Sequence, residues 1–244
     1  MTTLTLGGLN VSYDLAERWA KEYLVENPGR SGYPAYDSYP GSCTDEIGRQ
    51  DLLAIVLLNV SDKPVPTYYA LESLIEPLNA LLATPDITGN LEDAGPATLD
   101  AVAKLFSILD TDRPKGIRMT KVSKVIARKR PGLIPVFDRF VRHCYTGCAK
   151  APVPPLDGRT WEAYSRAWLE AVQNDLIKQL PQWQDLAAIA PGPKISPLRA
   201  LDIIAWRAGQ RGFGENDVAN VVSAQGLPGE RRRPGLYHVS DATA

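Results

Sequence analysis

The stretch from Arg113 to Arg142, RPKGIRMTKVSKVIARKRPGLIPVFDRFVR, holds ten Lys or Arg residues and a single acid, Asp138. Its formal charge is +9 in a chain whose net charge is −1, so the other 214 residues together carry −10. A segment this basic in a chain this balanced points to a polyanionic partner. The lone carboxylate matters as much as the cations. Held in a cationic, partly apolar setting beside a phosphate backbone, it can stabilise a cation developing on a sugar, as N-glycosidic bond cleavage requires.

The 244 residues suit one large domain or two small ones. The longest apolar run, Leu52 to Leu58, falls far short of the roughly 20 residues of a membrane span. The opening MTTLTLGGLN has neither a basic start nor an apolar signal core, so a cytoplasmic protein with no membrane partner is expected. Three cysteines, Cys43, Cys144 and Cys148, are an odd number without a paired framework. With only two His in the chain, no metal site and no cofactor are expected.

Hydrophobic periodicity is helical nearly throughout. Leu15, Trp19 and Tyr23 recur at four-residue spacing in a helix expected over 13–25. The run 47–60 reads as a helix apolar on almost every face, hence central to the core. Further helices are expected over 67–82, 96–109, 119–128, 137–145, 160–180, 197–208 and 215–224. No alternating run long enough for a useful strand is evident, and the predicted class is all-α. The expected layout is two helical subdomains with a cleft between them, lined by the basic helix. One spans 48–145; the other combines 1–47 with 146–244. A monomer is expected.

Within the basic segment the order is turn, helix, turn, helix. Pro114-Lys115-Gly116 makes a tight turn, Met119 to Arg128 a helix, and Pro131-Gly132 a break. A strand-like Leu133-Ile134-Pro135-Val136 then delivers Asp138 to the start of the next helix. An Asp in that position is ordinarily a helix cap. This arrangement resembles the helix-hairpin-helix (HhH-GPD) DNA glycosylase superfamily, in which a Gly-containing hairpin, a helix and a connector precede a catalytic Asp. The twenty-two residues from Gly116 to Asp138 match the family's spacing. The helix DLLAIVLLN, Asp51 to Asn59, is similar to the buried helix whose end places polar residues beside the DNA lesion; Asn59 and Ser61 fall there. The resemblance covers roughly residues 48 to 145.

Two departures shape what the resemblance implies. The second hairpin glycine is replaced by Arg118. The position of the Schiff-base lysine of bifunctional members is Thr120, and Lys121 lies one residue, or about 100° of helix, away. The resemblance therefore implies a monofunctional glycosylase acting on double-stranded DNA, with the target nucleotide flipped into a pocket. Asp138 would be catalytic. Lys115, Gly116, Arg118, Lys121 and Lys124 would hold phosphates, and Asn59 or Ser61 would fill the gap left by the flipped base. The loop carrying Tyr33, Tyr36, Asp37 and Tyr39 offers aromatic rings and an acid for a base pocket. Such a pocket suits a bulky modified base, including a glucosylated cytosine of phage DNA, and so a role in phage defence. The competing reading is a non-catalytic nucleic-acid-binding helical module in which Asp138 only caps its helix.

Overall fold

The computed structural model describes residues 2–26, 29–60, 63–111 and 113–215, with side chains as far as Arg211. The helix expected over 215–224, apart from its first residue, and the tail with its basic Arg231–Arg233 lie outside these residues, as does Ser61. The fold is mostly helical, with one small sheet. That sheet is a hairpin of β1 (Thr3–Leu6) and β2 (Leu9–Ser12), antiparallel with Thr3 opposite Ser12. Leu4, Leu6 and Val11 point into the core from it, a period-two pattern too short to weigh in the sequence.

The helices are α1 (Tyr13–Lys21), α2 (Pro64–Glu72), α3 (Ile75–Leu82), α4 (Pro96–Lys104), α5 (Met119–Ile126), α6 (Arg139–Arg142), α7 (Trp161–Lys178), α8 (Leu180–Ala187) and α9 (Pro197–Glu215). The run expected as one helix over 67–82 is split near a proline, and α8 was not expected at all. Pro77 cannot donate to a preceding carbonyl and is tolerated only in an opening turn, so α3 begins afresh at Ile75. Pro181 starts α8 in the same way after α7 ends at Lys178.

The run expected to be an all-buried α-helix is a 3-10 helix, Arg49–Leu58. Its three-residue repeat stacks Leu52 with Ile55 and Asp51 with Ala54 on the buried side. The same repeat leaves Leu53 and Val56 about half exposed, so this segment borders the core rather than filling it.

The buried side chains form one continuous cluster drawn from both of the sequence segments expected to be subdomains. Helix α7 packs on α4, and α9 packs on α6 and α8. Phe137, Trp168, Phe106 and Tyr164 meet edge to face at its centre, with Phe137 and Trp168 ring centroids 5.0 Å apart. At Gly209 of α9 an added Cβ would lie 2.2 Å from the Phe140 carbonyl oxygen, so the α6–α9 contact requires glycine there.

The end of the basic segment is consumed within the fold. Arg128 donates to the carbonyls of Asp37 and Tyr39, and Arg130 Nε donates to that of Ile87 at 3.1 Å. Lys129 makes an ion pair of 2.8 Å with Asp51 and donates to Ser42 and Thr44; its side chain is 5% exposed and that of Asp51 2%. Arg128 and Lys129 staple the 31–46 loop and the 3-10 helix to the end of α5, Arg130 ties the segment after α3 to it, and the three form neither a phosphate track nor a solvated helix end. Removing one member of a buried pair strands the other. Lys129→Met is therefore expected to lower unfolding free energy by about 3–5 kcal/mol, measured by urea denaturation.

Candidate active site

Asp138 owes its position to a clamp on the connector before it. Ser123, fully buried on α5, accepts from Phe137 N at 3.0 Å and donates to Phe137 O at 3.3 Å. Asp202 of α9 accepts from Val136 N at 2.9 Å through Oδ2. The connector is thus fixed from two helices, with Phe137 buried in the aromatic cluster. Asp138 follows in extended conformation and caps α6, its Oδ1 accepting from Phe140 N at 2.8 Å and Val141 N at 2.9 Å.

Asp138 opens onto a cavity of about 590 Å3. This lies within the roughly 300–1,000 Å3 of sites that take small organic ligands. Thr120 and Lys124, one turn apart on α5, form one wall with Asp138. Leu58 and Asn59, from the end of the 3-10 helix, form another; Asn59 adopts a left-handed conformation that asparagine tolerates well. Arg199, Asp202 and Trp206 come from α9, and Tyr23, Arg30 and Ser31 from the N-terminal part of the chain. The cavity therefore draws on both of the expected sequence segments.

Three aromatic rings join aliphatic side chains in its apolar lining. Trp206 meets Tyr23 at 6.0 Å and Phe140 at 6.3 Å, both edge to face. The polar side is unusual in its ionisable groups. Lys124 is 5% exposed and donates to the Leu58 carbonyl at 3.0 Å. Burial lowers its pKa to about 8, the Asp138 charge resisting the shift and Arg199 adding to it. Asp202 is 4% exposed. Burial drives its carboxyl up to about 8, against the opposing influence of Arg199 and the Val136 N–H and with the help of Asp138 and Asp37. While Oδ2 of Asp202 is bonded, its buried Oδ1 has no hydrogen-bond partner.

The residues expected to act at the site divide clearly. Asp138 and Asn59 line the cavity, and so does Lys124, but its ammonium, expected on a phosphate, is instead buried on the Leu58 carbonyl. Lys115 and Gly116 are exposed at the hairpin turn, where Gly116 has φ +83° and Ile117 N donates to Pro114 O at 3.1 Å, and Arg118 is exposed beside them. The turn thus forms with Arg118 in the second glycine position. Lys121 does not reach the cavity lining; it donates to the Gly116 carbonyl at 2.9 Å and to Thr67 Oγ1 at 3.0 Å, bracing the turn from behind.

The expected base pocket is corrected. Tyr33, Tyr36, Asp37 and Tyr39 are absent from the cavity lining. Tyr33 bonds through its hydroxyl to Pro193 O and Gly192 N, and Tyr39 to Gln50 O. Tyr36 is buried, donates to the Lys124 carbonyl at 2.7 Å, and lies under the guanidinium groups of Arg128 and Arg199 at 5.5 and 5.2 Å. Asp37 pairs with Arg199 at 2.9 Å. Their polar ends are used up in closing the 31–46 loop: Tyr36 and Asp37 hold it to α5 and α9, Tyr33 to the segment before α9, and Tyr39 to the 3-10 helix. Tyr23, Phe140, Trp206 and Asp202 take the pocket's place. They were hidden by helical periodicity, which reads such residues as core.

Among the described residues, no group of three His, Cys, Asp or Glu is disposed to hold a metal ion, and no helix is long and apolar enough to cross a membrane. Residues 16–209 match a family described as "Family of unknown function (DUF6308)", and the chain belongs to that family. No curated protein and no solved structure matches the chain.

The two shifted groups give stability a pH signature. Asp202 titrates at about 8 folded against an ordinary 3.8, so between these values the folded state holds a proton that the unfolded state has released. Its contribution therefore lowers stability as pH rises from about 4 to about 8. Lys124 acts above that window: the folded state loses its proton at about 8, the unfolded state at about 10.5, and stability rises between. Urea midpoints measured from pH 4 to 8 should fall less steeply for Asp202→Asn than for the wild-type chain.

Proposed function

We propose that this protein is a monofunctional DNA glycosylase that flips a modified base into the cavity and hydrolyses its N-glycosidic bond, leaving an abasic site. The observation that carries the reading is the convergence on one cavity of Asp138, Lys124, Asn59 and an aromatic wall. Of these, Asp138 and Asn59 are the residues that the resemblance to the helix-hairpin-helix glycosylases implies beside the target nucleotide, whereas Lys124 and the aromatic wall are additions to it.

In this reading the base lies against Tyr23, Phe140 and Trp206, and the deoxyribose faces Asp138. The carboxylate stabilises positive charge developing at C1′ and orients the attacking water. Lys124 keeps its ammonium on the Leu58 carbonyl at the sugar side of the cavity. Thr120 stands where a bifunctional enzyme would carry its amine, so hydrolysis without strand cleavage is expected. DNA phosphates reach the exposed turn at Lys115, Gly116 and Arg118, with Arg139 and Arg30 at the cavity's edge. The cavity's size leaves room for a base with a bulky substituent, such as the glucosylated cytosine of phage DNA, which would make the enzyme a phage defence. The cleft would then lie between two helical subdomains, and the protein would act as a cytoplasmic monomer.

The competing reading is a binding module in which Asp138 is a cap and nothing more. One substitution separates the two. Asparagine caps helices about as well as aspartate, so Asp138→Asn preserves the fold and removes the charge. Incubated with duplexes carrying alkylated, oxidised, deaminated or glucosylated bases, the wild-type protein should release free base, detected by mass spectrometry. Asp138→Asn should lose at least about 10²-fold of that rate and still bind DNA. Salt-dependent binding with no release from any duplex would favour the module.

Because Arg128, Lys129 and Arg130 are committed to the fold, DNA affinity should rest on few cations. Neutralising both Lys115 and Arg118 should reduce the slope of log affinity against log salt by about 2, as measured by fluorescence anisotropy titrations.

A further inference from the structure

Arg199 carries a polar atom that neither the fold nor the roles above account for. Its side chain is 9% exposed and is held by the Asp37 carboxylate and by the Tyr36 ring, 5.2 Å from the guanidinium carbon. Nε donates to Asp37 Oδ1 at 2.9 Å and Nη2 to Oδ2 at 3.4 Å. Nη1 makes no hydrogen bond among the described residues, yet it keeps accessible surface. Arg199 lines the cavity, so that surface opens on it. The guanidinium is planar, and with its other two nitrogens tied to Asp37 it cannot turn these last N–H donors away.

The donors lie on the side of the cavity assigned above to the base. Arg199, Asp202, Ile203 and Trp206 all line the cavity and recur at three- and four-residue spacing, so they share one face of α9. Tyr23, whose ring meets that of Trp206 at 6.0 Å, is the group whose charge couples most to Arg199 after Asp37. Arg199 therefore continues the wall of Tyr23 and Trp206.

An arginine is a donor only. It holds an acceptor atom and repels an amino group, whose hydrogens would point at its own. Asp37 balances the guanidinium charge, so the pair is neutral as a whole and suits an uncharged acceptor rather than a phosphate. Because the donors are fixed in place, a base without the acceptor leaves a desolvated N–H unmatched, which costs more than the lost contact.

We infer that Arg199 reads the flipped base: Nη1 donates to an uncharged oxygen on the edge of the base remote from the deoxyribose. The substrate class is then the bases that carry such an oxygen, as a keto group or on an attached sugar. Bases whose remote edge ends only in amino or alkyl groups are excluded. The inference rests on the glycosylase reading and deepens it by naming what the cavity selects.

The test uses the full chain and otherwise identical duplexes. Uracil, hypoxanthine and 8-oxoguanine present a keto oxygen at the remote edge, and glucosylated hydroxymethylcytosine presents sugar hydroxyls, so these arms distinguish the two sources of oxygen. Ethenoadenine and 5-methylcytosine present neither. A further duplex carries a tetrahydrofuran abasic analogue, which has no base to read. The wild-type protein should release at least one oxygen-bearing base, and should release ethenoadenine and 5-methylcytosine at least about tenfold more slowly. Arg199→Lys keeps a cation beside Asp37 but loses the planar fork that pairs and donates at once. It should release the oxygen-bearing base about 10–100-fold more slowly. Its affinity for the abasic duplex, measured by fluorescence anisotropy, should match that of the wild-type protein, whereas a merely structural role would weaken both.

An unchanged rate on the oxygen-bearing base, or an equal loss of affinity for the abasic duplex, would overturn the inference and leave the glycosylase reading standing. A wild-type preference for ethenoadenine or 5-methylcytosine would do the same. No release of any base by the wild-type protein would remove the glycosylase reading and the inference together. Should Arg199→Lys fail to fold, the wild-type rates decide: a preference for oxygen-bearing bases supports the role of Arg199, and equal rates refute it.

Discussion

The arrangement of the site depends on three hydrogen bonds to the backbone of two consecutive residues. Ser123 satisfies both the N–H and the carbonyl of Phe137, and Asp202 satisfies the N–H of Val136. An extended connector in a helical protein has no neighbouring strand to take up its polar groups, and burial without partners would be costly. Side chains from α5 and α9 supply those partners. Because they come from two different helices, they fix the connector's position as well as its hydrogen bonding, and Asp138 is the next residue along.

The basic segment shows how poorly net charge distinguishes surface from structure. Ten cations in thirty residues suggest an open electrostatic face. Arg128 and Lys129 instead turn back onto the 31–46 loop, Arg130 onto Ile87, and Lys121 and Lys124 onto Gly116 and Leu58. Arginine and lysine can do this because their long stems span a helix surface while their heads reach several carbonyls at once. The cations most open to solvent in the segment, Lys115, Arg118 and Arg139, cluster at the hairpin turn and the start of α6.

The helices of the basic segment and the place of Asp138 at the start of one of them were legible because they rest on local rules: proline and glycine punctuation, apolar spacing and a capping residue. The boundary at Pro77 was legible in principle and was passed over in favour of longer apolar periodicity, and α8, opened by Pro181, was not read as a helix. The 3-10 form of residues 49–58 was not legible, since a run apolar on almost every face carries no pattern that separates a repeat of three from one of 3.6. The tyrosine loop misled for a different reason. A sequence shows that a side chain is polar and aromatic, but it does not show which backbone groups, up to some 160 residues away, will claim its hydroxyl. Trp206 and Asp202 were missed for the converse reason: on a helix with apolar spacing, a cavity wall and a packed core have the same signature.

The walls of the cavity come from distant parts of the chain. Asp138 and Lys124 lie near its middle, Tyr23 and Arg30 near its beginning, and Asp202 and Trp206 more than sixty residues beyond Asp138. During synthesis the carboxylate of Asp138 leaves the ribosome well before the helix that fixes its connector and closes its pocket. No shorter nascent chain has an enclosed site, so whatever chemistry the cavity supports is withheld until α9 has docked. Assembly of the site and completion of the fold are in this sense a single event, and loss of α9 would remove both.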